Sequence, residues 1–336
     1  MTESDSSSNP TADTPPLPAL NARWASAIRA VVLVIFGVLT GYGAYVLATN
    51  DWQDITGFWL TRRRLLLAGF ALASLDVCTD GFVWYGILRQ YGIRLGPVRG
   101  LLLFLSGYAG HFMPAQMGRF FRATELSRIY GVPLATSTKA EITLLAFIMI
   151  TSVAMFCGAF LWPWLFALAF AIPPLLTALA LLVLGIFFRW IKKLSIQLPE
   201  GYLRRPSTLA LCLCTGIGWF INGFILYLIF REVTETLQLN HAIMIMTSNL
   251  FIGVVSGLPG GLGITESYIG GMMYWLATPP EHLVIAVAAF RILTFWLWIP
   301  IGWIALLLNG LFFGRSKRSL KPEPKKQRPT EEAREA

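Results

Sequence analysis

Charge is what this chain has least of. Asp, Glu, Lys and Arg make up 13% of its 336 residues and hydrophobic types 55%, whereas a soluble domain carries about a quarter charged residues. An ordinary water-soluble fold is excluded. Cysteine is scarce too: Cys78, Cys157, Cys212 and Cys214 all fall inside apolar stretches, which gives no disulfide framework. Cys212 and Cys214, two apart, point to different faces of a helix and read as buried small residues rather than a metal or redox pair. With no H-E-x-x-H, no paired-cysteine motif and no nucleotide-binding loop, no metal or cofactor is expected and the chain is not read as an enzyme. The surplus of 27 basic over 18 acidic residues, a net charge of +9, lies mostly in short loops and in the tail after Arg315. It reads as membrane-surface charge, and no basic soluble domain exists to make nucleic acid a partner.

What the chain does have is long apolar runs, with a mean hydropathy of +0.61. A bilayer core of about 30 Å takes roughly 20 apolar residues per helix, and irregular backbone facing lipid would leave peptide groups unsatisfied. The expected fold is therefore an all-α polytopic membrane protein. Six full transmembrane helices are readable, at about 27–48, 65–88, 138–158, 163–187, 207–230 and 284–308, with Pro173-Pro174 expected to kink the fourth. Two further apolar regions, about 98–129 and 242–277, are each split by a P-x-x-x-G break, Pro114 to Gly118 and Pro259 to Gly263. Their arms of roughly 13 to 16 residues are short for a crossing, so both read as re-entrant helical hairpins. Three spans separate them, which makes the hairpins open to opposite sides as an inverted repeat.

Three segments follow from composition: a disordered N-terminal tail at 1–24, a helical transmembrane domain at 25–312, and a basic disordered tail at 313–336. The first apolar stretch, behind Arg23 and Arg29, reads as an uncleaved anchor. Arg189, Lys192, Lys193, Arg204 and Arg205 mark their loop as cytoplasmic, and both termini fall on that side of an inner, cytoplasmic membrane. Arg62-Arg63-Arg64 lands on the opposite side, against the rule; an interfacial helix at about 52–63, led by Trp52 and Trp59, softens the conflict. Phe187 to Leu198 reads equally as an interfacial segment or a plain loop.

The ionisable residues inside these apolar regions are the candidate site, since such groups normally pair or line a polar cavity. In the second hairpin, Gly260, Gly261 and Gly263 precede a helix N-terminus whose free amides and dipole attract anions, although glycine also serves close packing. Glu266 sits in the first turn of that arm, and Arg291 on the next span is its natural partner, as a clamp or as a gate. In the first hairpin Arg119 and Arg122 share a helical face and suit phosphate recognition, or else they reach the cytoplasmic headgroups. Glu141 compensates one of them. Asp76 and Asp80, four apart in mid-span, balance those arginines or bind a proton or cation. His111 and Asn222 are additional lining groups, or else ordinary interhelical hydrogen-bonders.

Leu258-Pro-Gly-Gly-Leu-Gly-Ile-Thr-Glu266, the loop Thr278-Pro-Pro-Glu281 and the helix bearing Ala289-Phe-Arg291 together resemble the lysylphosphatidylglycerol synthase transmembrane-region family, the flippase-like integral membrane proteins. Pro114 through Gly118, Arg122, Gly131-Val-Pro133 and Glu141 resemble the same family's other hairpin, though Gln116-Met-Gly-Arg119 lacks the acidic residue expected after the glycine. The resemblance covers about 25–310 and implies a stand-alone member without the soluble transferase domain. It implies translocation or handling of an amphipathic, phosphate-bearing lipid. The alternatives are a membrane-embedded lipid-phosphate transferase using Asp76, Asp80 or His111, and a non-transporting lipid-binding accessory of a separate synthase. The partners expected are membrane lipids, with a homo-oligomer or a separate lipid-modifying enzyme as further possibilities.

Overall fold

The computed structural model describes residues 57, 59–111, 118–190, 202–256, 258, 260–276, 278 and 280–313. The expected span at 27–48, both tails, most of the interfacial helix at 52–63, the tip holding Pro114, Pro259 itself and most of the segment Phe187 to Leu198 lie outside the described residues.

Among the described residues all regular structure is helical. The α-helices are α1 (Arg63–Gln90), α2 (Pro97–Ser106), α3 (Gly118–Tyr130), α4 (Leu134–Leu161), α5 (Phe166–Trp190), α6 (Pro206–Phe230), α7 (Leu239–Ser256), α8 (Ile264–Trp275), α9 (Pro280–Arg291) and α10 (Trp298–Phe313). A 3-10 turn, Gly107–Gly110, follows α2, and a π-helical turn, Ile292–Trp296, joins α9 to α10. Pro97 and Pro206 stand at helix starts, where the missing N–H costs nothing.

Among the described residues five helical segments are long and apolar enough to cross a membrane: Arg63–Gln90, Leu134–Leu161, Phe166–Ile186, Pro206–Phe230 and His282–Phe312. They coincide with five of the six expected spans. Half of the apolar window of α6 is buried, against 17% for α5, so α6 runs through the middle of the bundle and α5 along its edge. Large apolar side chains such as Phe82, Leu175 and Leu307 face outward, as lipid-facing residues do. Trp84, Phe104, Phe147, Phe230 and Phe290 fill the interior. Pro173 and Pro174 lie inside α5, and Gly158 of α4 leaves the room that the Pro173 ring occupies.

Cross-contacts distinguish the two ends of the bundle. At one end Arg62 Nε meets Glu232 Oε2 at 3.0 Å, and the Thr236 hydroxyl donates to the Leu276 carbonyl. The start of α1, the end of α6, the start of α7 and the end of α8 therefore lie together. At the other end Gln90 Nε2 donates to Ser207 Oγ at 3.0 Å, and the Tyr130 hydroxyl to Asn309 Oδ1 at 3.3 Å. That groups the ends of α1, α3 and α10 with the start of α6.

The two broken regions are helical hairpins with antiparallel arms. In the first, Gly110 faces Gly118, and a Cβ on Gly118 would run into the Gly110 carbonyl; only bare backbone lets these arms approach so closely. In the second, Ser248 Oγ and the Tyr268 hydroxyl are 2.6 Å apart across α7 and α8. Each hairpin starts from a different end of the bundle. They meet in the interior, where a Cβ on Gly260 would lie 3.2 Å from the His111 carbonyl oxygen and collide with the Phe295 ring.

Candidate functional site

A cavity of about 240 Å³ lies at this meeting point, half-way along the spans. Asp76 and Asp80 enter from α1, His111 and Arg119 from the first hairpin, Asn222 from α6, and Arg291 from the end of α9. Gly118, Gly260 and Gly261 contribute backbone to its wall. Opposite charges thus converge from helices distant in sequence.

The two carboxylates sit one turn apart on α1, against α6 at Gly218. A Cβ there would stand 2.8 Å from Asp76 Oδ1 and 3.8 Å from Asp80 Oδ1, so glycine is what makes room for both. Asn222, one turn further on, donates from Nδ2 to Asp76 Oδ2 at 2.8 Å.

Arg119 and Arg122 leave α3 one turn apart but end in different surroundings. Arg119 lines the cavity. Arg122 instead threads past Gly107, whose missing side chain leaves space for its stem, and grips Glu141 of α4. Its Nη2 lies 2.6 Å from Glu141 Oε2 and its Nε 3.1 Å from Oε1. Trp84 Nε1 donates to the same Oε1 at 2.7 Å, and the guanidinium lies 4.7 Å from the centre of the Phe104 ring. The two side chains are only 4% and 2% exposed. Bidentate geometry, a third donor and a ring face satisfy both charges, so Arg122 and Glu141 lie outside the cavity and lock the first hairpin to α1 and α4.

The second hairpin turns on three glycines with positive φ, Gly260 at +59°, Gly261 at +67° and Gly263 at +79°, a region that side chains disfavour. The amide of Gly261 is already committed to the Leu258 carbonyl at 3.1 Å, and Gly261 in turn accepts from the Thr265 amide at 2.9 Å. Gly263 precedes α8 directly and is not part of the cavity wall. Glu266 lies in the first turn of α8, where its charge suits the helix dipole.

Arg291 joins this hairpin to the long span. Its Nε donates to Glu266 Oε1 at 2.6 Å and its Nη2 to the Gly260 carbonyl at 3.2 Å, while the Phe295 ring lies 4.2 Å from the guanidinium carbon. This pair is more open than the first: the Glu266 side chain is 29% exposed. Even so, Glu266 Oε2 is itself enclosed and, among the described residues, accepts no hydrogen bond.

The π turn just beyond Arg291 carries Phe295 into the cavity wall. Its i,i+5 bond runs from the Leu297 amide to the Ile292 carbonyl at 3.0 Å, and Trp298 Nε1 donates to the Leu293 carbonyl at 3.0 Å. Pro300 explains the widening, because a proline ring clashes with the carbonyl four residues back, and such bulges cluster at functional sites. Pro300 was the available sequence signal for this turn. Gly218, Trp219 and Asn249 also line the cavity; nothing in their local sequence marks them.

A bundle of apolar helices, two of them broken around a charged chamber half-way along its spans, defines a polytopic membrane protein. The chain from residue 27 to residue 302 matches the model of the family described as Lysylphosphatidylglycerol synthase TM region, and it belongs to that family. A comparison with curated proteins found no match.

Proposed function

We propose that this protein moves an amphipathic, phosphate-bearing lipid between the leaflets of a cytoplasmic membrane. The observation that carries the reading is the convergence of two oppositely entering hairpins on one chamber that holds Arg119 and Arg291. Both hairpins act as re-entrant elements, and the headgroup crosses through the chamber while its hydrocarbon tails stay in lipid. Discontinuous helices in two inverted halves are the arrangement that gives a mid-depth site alternating access to either side. Arg119 and Arg291 hold the phosphate, as guanidinium groups do through paired donors. Arg291 exchanges Glu266 for the substrate, because its pair is the accessible one. Membership of a lipid-related membrane family supports the substrate class.

The orientation follows the Lys/Arg bias. The end of the bundle holding Arg89, Arg94, Arg99, Arg128, Lys139 and Arg205 faces the cytoplasm. Arg62 at the opposite end is compensated by Glu232, which eases the conflict with the positive-inside rule.

Reconstitution in vesicles carrying a fluorescent phospholipid tests the reading, with leaflet exchange followed by chemical quenching of the outer leaflet. Arg291→Ala and Glu266→Gln are expected to abolish protein-dependent exchange. If both variants insert normally and exchange lipid at the wild-type rate, the site assignment is wrong.

A further inference from the structure

The chamber wall formed by α1, α6 and α7 has more acceptors than the described residues supply donors for. Asp76, Asp80 and Asn249 all line it. A carboxyl group offers acceptor sites on both oxygens, about four lone pairs when ionised and fewer when it carries a proton. Among the described residues, the two carboxylates together receive one side-chain hydrogen bond, the one from Asn222. Arg119 lines the same chamber. Asn249 Oδ1 is enclosed and accepts no hydrogen bond among the described residues. Gly218 supplies no side chain between α6 and the carboxylates, so the space in front of the acceptors is the chamber itself. Buried polar atoms in folded proteins are almost always partnered; the missing donors therefore belong to whatever enters.

We infer that this wall is a headgroup-reading subsite, selecting lipids whose headgroup carries hydrogen-bond donors, hydroxyl or ammonium, beside the phosphate held by Arg119 and Arg291. The inference rests on the lipid reading above and deepens it. A site built to hydrogen-bond a substrate group discriminates strongly against an analogue without that group, because its own polar atoms are then left bare. A phosphodiester lipid with a donor-free headgroup is the analogue to refuse.

The test is competition on the purified full-length chain in detergent, with a fluorescent phospholipid displaced by phosphatidylmethanol, phosphatidylglycerol or phosphatidylethanolamine. Phosphatidylmethanol has the phosphate but no headgroup donor; the other two add hydroxyls and an ammonium respectively. At least one of them is expected to bind about tenfold or more tightly than phosphatidylmethanol. In Asp80→Asn that preference shrinks towards unity, for the ethanolamine lipid if a positive charge is read and for phosphatidylglycerol if hydroxyls are. Asn249→Leu, which removes an acceptor without changing charge, reduces the preference part of the way and serves if the aspartate variant fails to fold. Equal affinities for all three lipids would mean that water alone fills the wall, and would overturn the subsite while leaving phosphate recognition standing; so would a preference unchanged in both variants. If no phospholipid binds at all, the lipid reading falls and takes the subsite with it.

Discussion

The two hairpins use the same parts to different ends. Each has an arginine, a glutamate and a close glycine contact, yet the Arg122–Glu141 pair is sealed at 4% and 2% exposure whereas Arg291–Glu266 is 9% and 29% exposed beside the chamber. The partners differ as well. Glu141 has both oxygens engaged, by Arg122 and Trp84, while Glu266 has one oxygen with no partner among the described residues. A buried pair with both carboxylate oxygens engaged is hard to open, because separating it strands two charges; a pair that is partly exposed and engages one oxygen is less tightly held. The likeness of the two sequence breaks therefore does not make these two pairs equivalent: in the proposed function the first holds and the second trades.

The sharpest way to break this contrast is to delete one side of the sealed pair. Arg122→Ala is expected to lose about 3–5 kcal/mol, the cost of an uncompensated buried charge, seen as a large drop in the thermal midpoint of the purified protein or as failure to insert. Arg291→Ala should cost less stability, about 1.5–3 kcal/mol for a charged hydrogen bond, while lipid exchange is lost. If Arg291→Ala proves the more destabilising of the two, the assignment of clamp and gate is reversed. Adding one methyl at each close contact sharpens the point. Gly118→Ala overpacks the first hairpin and should cost about 1–3 kcal/mol, measured again by thermal midpoint. Glu232→Gln, which removes a pair that is 31% and 42% exposed, should change stability by less than about 1 kcal/mol; a larger loss would show the Arg62 contact to be more than a surface pair.

Much of this architecture was legible because membrane spans are a matter of length and apolarity. The runs around Asp76, Glu141, Pro173, Cys212 and Arg291 each announced a helix, and the Pro and Gly breaks announced where two others stop. Asp76, Asp80, Arg119 and Arg291 attracted attention because charges are costly at depth. What stayed hidden depends on meetings between helices. Spacing places Arg119 and Arg122 on one face, but only the gap at Gly107 and the position of Glu141 send the second away from the first. Gly218 is one small residue among many until two carboxylates are found against it. Asn249 sits in an ordinary apolar run, and its significance comes from an unbonded oxygen that no one-dimensional pattern records. The π turn lay closer to view, since Pro300 marks the strain, although the ring it turns into the chamber, Phe295, does not follow from periodicity.

The span that carries Arg291 deserves a mechanical reading. Its upper part grips the second hairpin through Glu266 and the Gly260 carbonyl, and lower down the bare backbone of Gly302 presses directly against Tyr108 and Ala109 in the turn of the first. Close-packed interiors transmit displacement rather than absorb it. The same span therefore bears on both loops, so a displacement at one contact is passed to the other; in the transport cycle proposed above, it would link the two openings by leverage.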